Sequence, residues 1–216
     1  MNQLEISNLT KTIGSKTVLK NISFSITSGK IYGLVGKNGS GKTMLIRSVS
    51  GLMKPTSGFI KWNSSILYQD IDFIPSIGII IENIGLCQQF SGYENLKLLS
   101  NIKKKSTISE IAETLRRVGL DPSDTRIVKK YSLGMKQKLV IAQALMEKPD
   151  LLLLDEPTNA LDQESCTRIR KIISDEAKRG ACILIASHNS TDIDVLCDRI
   201  YTIENGLITN CVEKTT

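Results

Sequence analysis

Gly36-Lys37-Asn38-Gly39-Ser40-Gly41-Lys42-Thr43 has the spacing G-x-x-x-x-G-K-[ST]. Glycines so spaced let successive backbone N–H groups converge on phosphate oxygens, and a helix opening behind them adds positive potential. In that cradle Lys42 reaches the β and γ phosphates of a nucleotide, and the Thr43 hydroxyl ligates Mg²⁺. Further along, Leu151-Leu152-Leu153-Leu154-Asp155-Glu156 sets two adjacent carboxylates behind an apolar run. Asp155 is suited to hold Mg²⁺ and its water, and Glu156 to act as general base on a water attacking the γ phosphate in line. His188, the single histidine of the chain, follows another apolar run at residues 181–186. Its imidazole, neutral or charged, can hydrogen-bond the γ phosphate and orient Glu156. Taken singly, each feature has an ordinary explanation: a glycine-rich turn, a surface acidic pair ahead of Pro157, a structural histidine. All three at the ends of predicted strands point instead to one site of phosphoryl chemistry.

The elements that must present these residues are legible as periodicity. Apolar and polar residues roughly alternate over residues 4–9 and 18–26, which predicts an antiparallel β entry. Ile31–Val35 predicts a strand, the glycine-rich turn follows it, and residues 43–53 have helical spacing. Residues 58–62 and 77–81 predict further strands. Between residues 91 and 146 the strand pattern gives way to helical spacing at 92–102, 108–118 and 133–146, and Thr107-Ile108-Ser109-Glu110 fits a capping box. Strand and helix then alternate: 151–154, 163–179, 181–186, 191–197 and 199–203, with Asn205-Gly206 predicting a tight hairpin into Leu207 and Ile208. This order predicts an α/β fold, a P-loop NTPase with a mixed or parallel core sheet, an N-terminal antiparallel β subdomain and an inserted helical subdomain. Residues 1–85 and 147–216 are assigned to the nucleotide-binding core and 86–146 to the helical insert.

Composition bounds the rest. A chain of 216 residues with 41% hydrophobic and 23% charged residues is neither disordered nor an integral membrane protein. Its longest apolar stretches, at 77–81, 151–154 and 181–186, fall far short of the roughly 18–20 residues of a spanning helix. Any membrane role is therefore borrowed from a partner, and residues 1–5 lack the features of a secretory signal. A net charge of +6 suits an anionic ligand or membrane surface without selecting either. Five cysteines without C-x-x-C spacing argue against a disulfide framework or a zinc site and for reduced thiols in cytoplasm.

With Tyr131-Ser132-Leu133-Gly134-Met135-Lys136-Gln137 shortly before the acidic strand, the chain resembles the ATP-binding subunits of ABC transporters over nearly its whole length. The resemblance implies two subunits packed head to tail, so that Ser132, the Leu133 and Gly134 amides and the helix end of one would cap the ATP γ phosphate held by the other. Asn159-Ala160-Leu161-Asp162 resembles the loop that links the two sites across such a dimer, which brings Asp162 into the nucleotide-binding set. The expected ligands are ATP and Mg²⁺. The expected partners are a second ATPase subunit, identical or different, and a separate transmembrane permease met by residues 82–93. This places the protein in cytoplasm at the inner face of the cell membrane, with no nucleic acid expected.

The sequence departs from the family pattern at three places. Leu133 and Met135 replace the first glycine and the glutamine of the usual Leu-Ser-Gly-Gly-Gln, which leaves the backbone N–H of Leu133 available. Ile13 stands where the family often has an aromatic that stacks on adenine. Glu82 stands at the glutamine that reaches Mg²⁺ and water, adding a negative charge near the metal. Glu82, Ser91-Gly92-Tyr93-Glu94-Asn95-Leu96 and the altered signature resemble the bacitracin-resistance and lantibiotic-immunity branch, which implies an antimicrobial peptide or related lipid-active cargo. The rival is a soluble non-transport ATPase of the same family acting on nucleic acid or ribosomes, which usually carries a long coiled coil or a second nucleotide-binding half. If Glu82 is near the metal, Glu82→Gln alters the Mg²⁺ dependence of ATP hydrolysis or the coupling to transport; no change in either assay makes it a surface carboxylate.

Overall fold

The computed structural model describes residues 1–81, 85–103 and 106–214; Glu82 lies outside them. Strands β1 (Gln3–Ile13), β2 (Lys16–Thr27), β4 (Ser57–Trp62) and β5 (Ser65–Ile66) form an antiparallel sheet in the order β2-β1-β4-β5. Strands β3 (Ile31–Val35), β6 (Ile77–Ile80), β7 (Leu151–Asp155), β8 (Cys182–Ala186), β9 (Arg199–Glu204) and β10 (Leu207–Glu213) form a second sheet in the order β10-β9-β3-β8-β7-β6. Pairing from β9 through β6 is parallel, while β10 runs antiparallel to β9. Asn205 and Gly206, at φ 49° and 79°, make the predicted hairpin turn, because both tolerate the left-handed region.

Register in the parallel sheet is what aligns the site. Ile185 and Ala186 of β8 pair with Gly33 and Leu34 of β3 on one side and with Leu154 and Asp155 of β7 on the other. The three strands therefore run out at one edge, and the residues that follow each begin side by side. Both faces of β7 are covered, as a continuous apolar run requires. Leu151 and Leu153 enter a core with Leu45, Ile46 and Val49 and the antiparallel sheet, while Leu152 and Leu154 enter a second core with Leu139, Ala142 and Ile169. Each such leucine, wholly removed from water, contributes about 1.5–3 kcal/mol.

The α-helices among the described residues are α1 (Lys42–Val49), α2 (Gly92–Lys103), α3 (Ile108–Arg117), α4 (Leu133–Leu145), α5 (Gln163–Arg179) and α6 (Ser190–Leu196). The helix expected over 43–53 stops at Val49. Gly51, at φ 82°, donates its N–H to Ser48 O, and Leu52 donates to Arg47 O, so a left-handed glycine closes the helix and the apolar Leu52 and Met53 lie beyond it. The capping box at Thr107 and Glu110 is present at the start of α3.

The helices between α1 and α5 are tied to the core by charge and by close packing. Glu176 of α5, 2% exposed, accepts from Arg117 of α3 at 2.5 Å and from Arg179 at 2.7 Å, and Arg179 also donates to Pro149 O. All five cysteines are free, and burial pushes the thiols of Cys182 and Cys197 up to about 12, which keeps both uncharged and unreactive. At Gly78 of β6 an added Cβ would meet Ala144 O of α4 at 2.1 Å, a backbone atom that cannot turn aside. Gly78→Ala is therefore expected to lower stability by about 1–3 kcal/mol by forcing α4 from the sheet; a midpoint of urea unfolding unchanged from the parent would show that α4 yields freely.

Candidate functional site

The turn between β3 and α1 is shaped by glycine where nothing else fits. A Cβ on Gly36 would stand 2.2 Å from Ile203 O, and one on Gly41, at φ 118°, would meet Val18 O at 3.1 Å, whereas Gly39 faces open space. Gly41 caps α1 without any side-chain hydrogen bond, so the first-turn amides of the helix point at the mouth of the turn. Lys37, Asn38 and Gly39 are exposed, while Lys42 is buried and donates Nζ to Gly36 O at 2.7 Å and Lys37 O at 3.3 Å. Its ammonium is held at the loop by carbonyls that a phosphate oxygen can replace. Ser40 Oγ is buried and has no hydrogen-bond partner among the described residues. An orphaned buried hydroxyl in a glycine-rich turn at a helix start fits a phosphate-bearing ligand.

One residue into α1, Thr43 Oγ1 donates to Asp155 Oδ2 at 2.6 Å. Asp155 is 6% exposed at the last position of β7. Two hard oxygens at one spot beside a phosphate cradle fit Mg²⁺, which takes few protein ligands and completes its shell with phosphate and water. Glu156 follows at φ 50°, a left-handed value that costs a non-glycine residue about 1–3 kcal/mol. Its N–H donates to Ala186 O at 2.8 Å, and Gln137 Nε2 of α4 donates to Glu156 O at 3.5 Å and to the next carbonyl, Pro157 O, at 3.0 Å.

The structure brings Glu156 and His188 together. Glu156 Oε1 accepts from His188 N at 3.0 Å, and Glu156 Oε2 lies 2.8 Å from His188 Nδ1, with Ser187 Oγ at 3.4 Å. His188 is exposed on the outer side of this pair. With Nδ1–H committed to Glu156, only Nε2 is left for a phosphate, and it donates there only when the ring is doubly protonated. That narrows the expectation that a neutral imidazole would serve equally well.

Ser132, Gly134 and Asp162 are placed differently. Ser132 caps α4, its Oγ accepting from Met135 N at 3.2 Å, and no hydrogen bond among the described residues joins Ser132 or Gly134 to residues 36–43. Gly134 lies against the loop after Glu156: an added Cβ would approach Ala160 O to 3.1 Å. Asp162 caps α5, accepting from Ser165 N at 2.8 Å, and that backbone hydrogen bond, with the Ser165 hydroxyl, draws its carboxyl below the usual range. Ile13 is half-exposed at the end of β1. An open cleft of about 480 Å³ lies between α4 and the strand ends, lined by Ile80, Leu86, Leu133, Gln137, Asp155 and Glu156. Glu82, which follows Ile81 in sequence, lies outside the described residues. Sequence reasoning missed Gln137 as a cis contact of the acidic strand, and missed Thr158, Arg170, Ser187 and Asp192, which join beneath it. The available signal was Arg170, a charge at an apolar-spaced position of α5 between Ile169 and Ile172.

A phosphate cradle, a hydroxyl–carboxylate pair and a carboxylate–imidazole pair at the carboxyl edge of a parallel sheet define a phosphate-loop nucleotide hydrolase. Residues 19–159 match the family described as ABC transporter. The chain belongs to that family and is an ATP-binding ATP hydrolase. It is 50% identical over 203 residues to the uncharacterized ABC transporter ATP-binding protein YybJ of Bacillus subtilis, covering 94% of this chain and 93% of that one. It is 39% identical to the lantibiotic transport ATP-binding protein SrtF of Streptococcus pyogenes, over 95% of this chain and 88% of the relative. It is 38% identical to the bacitracin transport ATP-binding protein BcrA of Bacillus licheniformis, over 94% of this chain and 67% of the relative. Among solved structures, an ATP-binding subunit of an ABC transporter superposes with a TM-score of 0.88 at 26% identity, covering 97% of this chain and 89% of that one. Lys42→Ala is expected to weaken ATP binding roughly 10–100-fold by removing the charge-assisted donor; an unchanged titration with fluorescent ATP analogue would remove Lys42 from the cradle.

Proposed function

We propose that this chain is the ATP-hydrolysing subunit of a transporter, acting as a dimer that drives a separate membrane permease. The single observation that supports it most is the pairing of two sites on one edge: Thr43 with Asp155, and Glu156 with His188. Gly36 to Thr43 hold the triphosphate, with Lys42 exchanging its carbonyl partners for phosphate oxygens. Thr43 and Asp155 hold Mg²⁺, which when bound neutralises charge on the β and γ phosphates. Glu156 takes the proton of the attacking water, and His188 keeps its carboxylate aimed through Nδ1–H. Within this chain Ser132 and Gly134 make no hydrogen bond to the cradle among the described residues, while the first amides of α4 have no helical partner. In the proposed dimer these groups cap the γ phosphate bound by the other protomer. Asp162 and the loop before it lie along that junction.

ATP held between two such surfaces favours closure, and loss of the γ phosphate on hydrolysis releases it, a population shift driven by differential affinity. No helix of the described residues is long and apolar enough to cross a membrane, so the transport path belongs to the permease, met at residues 82–93 from the cytoplasmic side. The names of SrtF and BcrA, lantibiotic and bacitracin transport proteins, support an antimicrobial peptide as cargo. Glu156→Gln is expected to cut steady-state ATP turnover roughly 10²–10⁴-fold and to trap a dimer with ATP in light scattering, and His188→Ala to slow turnover less. Wild-type turnover in Glu156→Gln, or monomers only with ATP and permease both present, defeats the reading.

A further inference from the structure

Beneath the reactive edge lies a buried polar cluster to which none of the roles above extends. Asp192, in α6, is wholly buried, and Arg170 of α5 is 8% exposed. Asp192 Oδ1 accepts from Arg170 Nε at 2.7 Å. Asp192 Oδ2 accepts from Thr158 Oγ1 at 2.5 Å and has Ser187 Oγ at 3.3 Å. Thr158 and Ser187 are buried too. Burying an ion pair is seldom favourable for stability against an apolar pair of the same volume, so its retention asks for a role beyond packing.

The connections supply one. Thr158 is two residues beyond Glu156, in the loop that ends at Asp162, and Asp162 caps the same helix that carries Arg170. Cys166 Sγ, from the first turns of that helix, also approaches Thr158 O and Leu161 O at 3.8 and 3.7 Å. The loop is thus hung on a closed ring running from Asp192 through Thr158 and Asp162 to α5 and back through Arg170. On its other side Asp192 meets Ser187, which has one hydroxyl proton and two carboxylates in reach, Asp192 Oδ2 at 3.3 Å and Glu156 Oε2 at 3.4 Å. Asn189 N donates to the same hydroxyl at 3.1 Å, which leaves its proton to be shared between those carboxylates.

We propose that Asp192, held by Arg170, is a positioning residue for ATP hydrolysis: it pins the loop behind Glu156 through Thr158 and shares the Ser187 proton with the Glu156 carboxylate. The inference rests on the reading of Glu156 as general base. Through Ser187, the placement of Asp192 decides whether Glu156 is held by the two His188 donors alone or also by a third donor, the Ser187 hydroxyl. Through Thr158, the same carboxylate links that choice to the loop proposed to meet the second protomer.

The test compares Asp192→Asn, Ser187→Ala and their double variant in the full chain, reading kcat, KM, affinity for a fluorescent ATP analogue and thermal melting. Asp192→Asn keeps the shape and one acceptor oxygen but loses the charge. It is expected to lower kcat roughly tenfold while nucleotide affinity stays within about twofold, since the cradle is untouched. The double variant is expected to be no slower than Asp192→Asn alone, because the part of the Asp192 effect that passes through the Ser187 hydroxyl is already lost with the charge. Wild-type kcat in Asp192→Asn, losses that multiply in the double variant, or a fall in kcat matched by the folded fraction would each overturn the proposal. Should Asp192→Asn not fold, Thr158→Val and Ser187→Ala, each leaving the Arg170–Asp192 pair whole, decide it: unchanged kcat in both counts against. Glu156→Gln is the control. If it retains turnover the base assignment fails, and if it is inactive while Asp192→Asn is not, only the positioning role fails.

Discussion

The hydrogen bond from Thr43 Oγ1 to Asp155 Oδ2 joins residues 112 positions apart, and the site exists only because β3, β8 and β7 stop in register. A slip of one residue between β8 and β7 would turn Asp155 to the other face of the sheet. Glu156 would move with it, away from Ser187 and His188. The register is itself held by burial, since adjacent leucines of β7 fill opposite cores and neither set can exchange places with a carboxylate at low cost.

Around that edge the chain accepts local strain and buried charge. Glu156 sits at a positive φ, and Ala160 of the following loop does as well. Asp192 and Glu176 are buried carboxylates, each answered by arginine. The two differ in what they serve. Glu176 ties α3 to α5, far from the phosphate cradle in connectivity, whereas Asp192 reaches the residues on either side of the Glu156–His188 pair. Polar groups at such positions favour one arrangement over its neighbours more than they add stability.

α4 holds two relations to the site at once. Its Gln137 steadies the peptide after Glu156 from within the same chain, and Gly134 lets the loop backbone approach closely. Its N-terminal turn, capped by Ser132, is the part proposed to meet a second protomer. A shift of α4 is therefore felt beside Glu156 through Gln137 and at the proposed junction through Ser132, with no further element between them.

Most of the elements were legible in the sequence because their signals are local. The helix Gln163–Arg179 has an N-capping Asp162 and a closing Gly180, and the strands 151–154 and 181–186 are short apolar runs bounded by polar residues. The same locality misled at α1, where apolar spacing continues to Met53 although a left-handed Gly51 ends the helix at Val49. The cradle residues and the candidate pair Glu156 and His188 could be named from spacing and residue type alone, since phosphate binding and water activation need those groups in those surroundings. That His188 Nδ1 is committed to Glu156 and that Arg170 and Asp192 meet beneath the site were decided by tertiary structure. Those are questions of which atom faces which across strands and helices distant in sequence, and a hydrogen bond has one direction and one partner that no local pattern records.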